Sequence, residues 1–172
     1  MSTIISSLTA KSQTINDLDT NPTFKGITIG EPISKHSNIL SYKGTRNGIN
    51  AYNVTNRNYL SIFNIKMDEM VILEKNGRVY AILLNKIQEK IDGCTVFNAD
   101  NLLVLLSNLI SKYGKPNVDL DKKQETLDSP MVSGVRWEGH KIVLDIYYLF
   151  YGTIDSKNPE LNYMLYERHD DY

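Results

Sequence analysis

Asp145 is the carboxylate of this chain best placed for acid–base work. It stands in the alternating run Val143-Leu144-Asp145-Ile146-Tyr147-Tyr148-Leu149, so a strand there sets it beside Val143, Tyr147 and Leu149 on one face. Partial burial among those side chains would raise its pKa, and a neighbouring tyrosine hydroxyl could donate to it or share a proton with it. The competing expectation is a cross-strand pair with Lys or Arg, which would make the same carboxylate structural. No acid or base partner is legible beside it, so no catalytic residue is assigned.

Metal chemistry has weaker footing. Glu167, His169 and Asp171 lie two apart, and an extended chain would point all three to one side as nitrogen and oxygen ligands, but a frayed polar terminus explains them equally. Asp119-Leu-Asp121 resembles a fragment of a calcium loop without its glycine or its distal glutamate, and Lys122 and Lys123 oppose a cation. His36, His140 and His169 are spread over a short helix, a turn and the tail, without the spacing of a metal pair. Cys94 is the only cysteine, which removes an intrachain disulfide and a cysteine-based zinc site; Ile91 and Val96 around it predict a buried thiol. Phosphate-binding loops, the dinucleotide fingerprint, the zinc-protease helix and the nucleophile elbow have no counterpart here. Neither a metal nor a cofactor is expected.

The stronger signal is aromatic: 11 tyrosines against one tryptophan and four phenylalanines. Tyr147, Tyr151, Tyr163 and Tyr166 fall in the C-terminal strands, and tyrosine joins a large stiff contact area to a polar tip, which suits an interface. Those four residues with Asp145 are the candidate binding set. Tyrosine is also simply a good strand former, and that alone would account for them. Asn53-Val-Thr55 matches a glycosylation sequon, which matters only in a eukaryotic secretory setting.

Length and charge narrow the partners. A chain of 172 residues with 41% hydrophobic and 23% charged residues fits one domain with a sizeable core. A net charge of -1 and a pI near 6.3 offer no general attraction to nucleic acid or anionic lipid, and no apolar run reaches the roughly 18 residues of a membrane span. Residues 1–22 read as a disordered arm or as the remnant of a signal peptide, with Ala10 and Ser12 placed as a cleavage site before Gln13; residues 23–172 read as the domain. Export to the periplasm or beyond follows if the true start lies upstream of Met1, and a cytoplasmic location if it does not.

The elements that must position these residues centre on 98–116. Asn98 suits an N-cap, Asp100 the first turn, Gly114 the left-handed end and Pro116 the stop. Leu102, Leu103, Leu106, Leu109, Ile110 and Tyr113 recur at three and four residues and predict the buried face. Upstream, 24–30 reads as an extended lead-in, 32–41 as a short helix opened by Pro32, and 43–48 as a turn. Strands follow at 50–55 and 59–66, then a hairpin of 69–75 and 78–87 about Asn76-Gly77, the preferred pair for a type I′ turn. Residues 117–130 read as a loop, 132–137 and 141–151 as a second hairpin, and 161–168 as the closing strand. Along 141–151, Ile142, Leu144, Ile146, Tyr148 and Phe150 make the better core face. The fold predicted is α+β: an antiparallel sheet with helices packed on one face, readable as two α-β-β-β halves.

Phe-Lys-Gly-Ile-Thr-Ile-Gly at 24–30, Lys-Tyr-Gly-Lys-Pro at 112–116, Trp137 before Ile-Val-Leu at 142–144, and Leu-Asn-Tyr at 161–163 resemble a class of small, often exported bacterial α+β domains. In outline the α-β-β-β halves are similar to the β-lactamase-inhibitor-protein type of fold, which binds proteins through its sheet. The leading reading, drawn from the tyrosines and in keeping with that fold analogy, is a non-enzymatic domain that binds another protein through a tyrosine-bearing face or its loops, as an inhibitor, immunity or envelope-associated factor does. A small-ligand or carbohydrate-binding module using the same tyrosines, and an enzyme built on Asp145, are the alternatives.

Overall fold

A computed structural model of the chain describes residues 15–87, 90–91, 94–95, 99–121, 130–151 and 160–168. The described chain opens with helix α1 (Ile15–Thr20) and a tight hairpin of β1 (Thr23–Phe24) and β2 (Ile27–Thr28). Pro32, fixed at φ −61°, leads into a 3-10 helix at Ile33–Ile39. Then come β3 (Leu40–Arg46), β4 (Ile49–Val54), a single 3-10 turn at Arg57–Tyr59, the small hairpin of β5 (Ser61–Ile62) and β6 (Ile65–Lys66), and the longer β7 (Glu69–Lys75) and β8 (Arg78–Ile87). A short pair, β9 (Lys90–Ile91) and β10 (Cys94–Thr95), precedes helix α2 (Ala99–Tyr113), and β11 (Val118–Asp119), β12 (Pro130–Glu138), β13 (Ile142–Tyr151) and β14 (Glu160–Glu167) complete the order.

Eight of these strands make one sheet in the order β11-β12-β13-β14-β8-β7-β4-β3, antiparallel at every step. The protein is broadly α+β, with the antiparallel sheet dominant. Its best-specified joint is the β7–β8 turn. Asn76 and Gly77 both take positive φ, 55° and 78°, the combination that a type I′ turn needs to match the twist of its strands. Glu74 seals that corner, accepting from the Gly77 N–H and from Asn50 Nδ2 on the neighbouring strand.

Register divides the sheet into two faces. One row runs Trp137, Leu144, Leu165, Ile82, Ile72 and Tyr52 across β12, β13, β14, β8, β7 and β4. Its face carries Ile142, Leu144, Ile146 and Tyr148 of β13, all buried, as the alternation of the strand predicts. These join Met70, Ile72, Leu84, Leu161 and Tyr163 in a core completed by Leu18, Leu105, Leu109 and Tyr113 from the two helices. Trp137 is wholly buried, and its indole N–H donates to the Gly114 carbonyl at 2.8 Å, where α2 ends. Gly114, at φ 80°, closes the helix by donating to Ile110 O at 2.9 Å. The expected cap Asn98 and the side chains of Cys94 and Phe150 lie outside the described residues.

Five expectations are corrected. The helix face is rotated: Leu105, absent from the predicted set, is fully buried, whereas Leu103 is 61% exposed and Ile110 is also exposed. Five consecutive apolar residues at 102–106 satisfy helical spacing in more than one phase, and only the contact with α1 and the sheet chooses between them. Lys43–Arg46 is strand and not turn. β3 is an edge strand whose polar, charged residues suit solvent, with a register shift at Gly44, so it lacks the apolar alternation that flags a half-buried strand. Residues 59–66 form the 3-10 turn and the β5–β6 hairpin instead of one strand, and 24–30 folds back at Lys25-Gly26 instead of staying extended.

The fifth correction concerns residues 15–20. Within the segment expected as an arm they form helix α1, with Leu18 fully buried. Asp19 then accepts backbone N–H donors from His140 (2.7 Å), Lys141 (2.8 Å) and Ile142 (2.9 Å) at the β12–β13 turn. One carboxylate thus ties the first helix to a hairpin more than a hundred residues away.

Candidate functional site

The second face of the sheet is built by the other half of each strand. β13 supplies Val143, Asp145, Tyr147 and Leu149; β14 supplies Asn162, Met164 and Tyr166; and β8, β7 and β4 continue it with Ala81 and Leu83, Val71 and Leu73, and Ala51 and Asn53. Most of these side chains are half-buried, while Val143, Ala81 and Asp145 are closed over by their neighbours. Apolar, amide and aromatic groups alternate across the face, with an ionic cluster toward the β12 side.

That cluster is organised by Asp145. Arg136, its direct cross-strand neighbour on β12, donates through Nε to Oδ1 at 2.8 Å and through a terminal nitrogen to Oδ2 at 3.0 Å. The Tyr166 hydroxyl donates to Oδ2 at 3.1 Å and accepts from Arg136 at 2.9 Å. A planar fork meeting a carboxylate in this way is both strong and oriented. The hydrogen bonds to Asp145 hold the Arg136 guanidinium well above even its ordinary pKa, outweighing the opposite pull of burial. Burial pushes the Tyr166 hydroxyl up from 10, and the adjacent Asp145 charge adds to this. At the end of the same strands Arg168 pairs with Glu138 at 3.1 Å.

A second polar group lies beside Tyr147. Asn85 Nδ2 donates to Glu160 at 2.9 Å and to Asn162 Oδ1 at 3.1 Å, and Asn162 is the cross-strand neighbour of Tyr147. On its other side Tyr147 faces Gly134 of β12. A Cβ at 134 would come within 2.3 Å of the Ile146 carbonyl oxygen and 2.6 Å of Tyr147 Cβ, so glycine is required for the two strands to approach. Asp121 buttresses this stretch by accepting from Ser133 Oγ at 2.9 Å and from the Gly134 N–H at 3.3 Å.

The candidate residues therefore separate. Asp145, Tyr147 and Tyr166 share the second face. Tyr163 does not: it is on the opposite face, 4% exposed, with its ring centroid 5.6 Å from that of Phe24. Burial pushes its hydroxyl far above 10, with the Tyr113 hydroxyl contributing. The side chain of Tyr151 lies outside the described residues, as do His169 and Asp171. Comparison with protein-family models, curated proteins and solved structures gives no match for this chain.

Among the described residues, no group of His, Cys, Asp and Glu could hold a metal ion, and no helix is long and apolar enough to cross a membrane. The sequon residue Asn53 lies within β4, with its side-chain oxygen buried and unpartnered. The residue that sequence reasoning did not name is Arg136. A basic partner across the strand from Asp145 was foreseeable, but the hairpin register that selects Arg136 depends on the turn at Gly139.

Proposed function

We propose that this is a non-enzymatic binding domain whose second sheet face engages another protein, with Tyr147 and Tyr166 as aromatic anchors and the Arg136–Asp145 pair as an oriented polar group beside them. The observation that carries the reading is the composition of that face: half-buried apolar, amide and tyrosine side chains run from β4 to β12, with the ionic pair embedded toward one side. Interfaces favour this mixture, in which aromatics and arginine are enriched and the remaining contacts exclude water. The reading includes an arrangement in which the helices cover only the opposite face, the sheet being two α-β-β-β halves that meet at β8 and β14.

Asp145 fits an interface better than a catalytic centre. Both of its oxygens are engaged by the Arg136 guanidinium, and one also by the Tyr166 hydroxyl, which leaves neither aimed at an incoming substrate. An inhibitor or immunity-type role suits a domain that offers a pre-organised surface instead of a reactive group.

The test is capture from a native extract by wild type and by the Tyr147→Ala variant, beside thermal melts of both. Partner binding should weaken by about 2 kcal/mol or more, which is the level expected for interface anchors, while the melting temperature moves little. Equal recovery of every captured protein by the two forms would overturn the proposal.

A further inference from the structure

On the core side of the sheet lies a concavity unrelated to the second face. It has a volume of about 430 Å³ and is lined by residues including Phe24, Lys25, Phe63, Leu109, Lys112 and Tyr163. Small-ligand sites usually fall in the range of roughly 300–1,000 Å³. Phe24, Leu109, Tyr113 and Tyr163 are all buried, so the cavity lies against the core and only a small part of each of these side chains reaches its surface.

The lining also includes two amine-bearing side chains, Lys25 and Lys112, and none of its described residues is acidic. Lys25 Nζ donates to the Asn58 carbonyl at 2.6 Å and to Ser61 Oγ at 2.7 Å. An ammonium has three N–H donors, so one remains for an incoming acceptor. Partial desolvation lowers the Lys25 pKa from 10.5, although the residue as a whole is exposed. Lys112 Nζ sits 4.8 Å from the Tyr113 ring centroid, on the side contributed by α2.

Two tight turns contribute to the lining. Lys25 and Gly26 have φ of 47° and 83°, and Phe63 and Asn64 have 47° and 67°. A left-handed backbone costs a non-glycine residue on the order of 1–2 kcal/mol, and phenylalanine, a bulky residue, adopts it rarely. Lys25 and Phe63, one from each turn, both line the cavity.

We propose that this pocket binds a small amphipathic organic carboxylate, its hydrocarbon body against Phe24, Phe63, Leu109 and Tyr113 and its carboxylate between Lys25 and Lys112. The apolar wall supplies affinity and the paired amines supply selection for the anion over a neutral molecule of the same shape. The site shares no lining residue with the proposed protein-binding face, so the two stand independently.

The probe is octanoate, titrated into the isotope-labelled full chain while backbone amide NMR shifts are followed, with octanamide as its neutral counterpart. Octanoate should give saturable shifts centred on Phe24, Lys25, Phe63, Leu109 and Tyr113, and octanamide should bind roughly tenfold more weakly, a difference of about 1.4 kcal/mol. Lys112→Met, which leaves the Lys25 hydrogen bonds to Asn58 and Ser61 in place, should bring octanoate affinity down toward that of octanamide. Absence of saturable shifts at these residues, equal affinity for acid and amide, or unchanged octanoate binding by the Lys112→Met variant would each overturn the proposal.

Discussion

Gly139→Ala should be destabilising only because Asp19 is there. A Cβ on residue 139 would stand 2.6 Å from Asp19 Oδ1, 2.9 Å from Cγ and 3.0 Å from Oδ2, and no nearer group competes with that contact. The residue does not have the positive φ that would penalise alanine in its own right. The substitution must therefore push the carboxylate away from the N–H groups of His140, Lys141 and Ile142. Three bonds at about 1 kcal/mol net each, reduced because water reaches this turn, give about 2 kcal/mol for Asp19→Ala, and Gly139→Ala should approach that loss. In the Asp19→Ala background the clash has no second party, so Gly139→Ala should then cost less than about 0.5 kcal/mol. Urea denaturation of the wild type, both single variants and the double variant measures the cycle. Additive losses would show that alanine at 139 is harmful for a reason unconnected with Asp19. Acid should have a related effect. Burial pushes the Asp19 carboxyl up, but the Lys141, His140 and Ile142 amides together outweigh it and hold the pKa below its ordinary 3.8. Its contribution is thus complete above about pH 4 and lost as pH falls through the folded value.

The rotated face of α2 predicts that Leu105→Ala costs on the order of 2–5 kcal/mol while Leu103→Ala stays within about 0.5 kcal/mol. Chemical-denaturation midpoints compare them, and similar losses for the two would place the buried face elsewhere. In alkali, burial raises the Tyr148, Tyr163 and Tyr166 hydroxyls above 10, to about 12 for Tyr148. A group whose folded pKa is raised contributes stability that is whole below its unfolded value and is lost as pH rises through the folded one, so stability should decline between about pH 10 and 12. A flat stability profile over that window, followed by tyrosinate absorbance and circular dichroism together, would contradict the burial of Tyr148.

Local chemistry made part of this protein legible from residues alone. Asn76-Gly77 wrote the β7–β8 turn because few other pairs accept two positive φ values, and Gly114 with Pro116 wrote the end of α2. Strict alternation in Ile142, Leu144, Ile146 and Tyr148 put those four in the core and left Asp145 and Tyr147 on the other side, since a strand has no other way to arrange them. Tertiary structure decided the rest. Which phase of the apolar run 102–106 faces inward depends on what lies opposite, and that is Leu18 and the sheet. Tyr163 and Tyr166 look alike in sequence, yet three residues along a strand reverses the face, so one is core and the other reaches Asp145. The charged edge strand β3 carried no apolar pattern to announce it, because backbone pairing with β4, which any side chain permits, is what makes it a strand. Asp19 was invisible because the N–H donors it meets lie more than a hundred residues away in the chain, and Arg136 was not singled out as the basic partner of Asp145 because the hairpin register that sets the two opposite depends on the turn at Gly139.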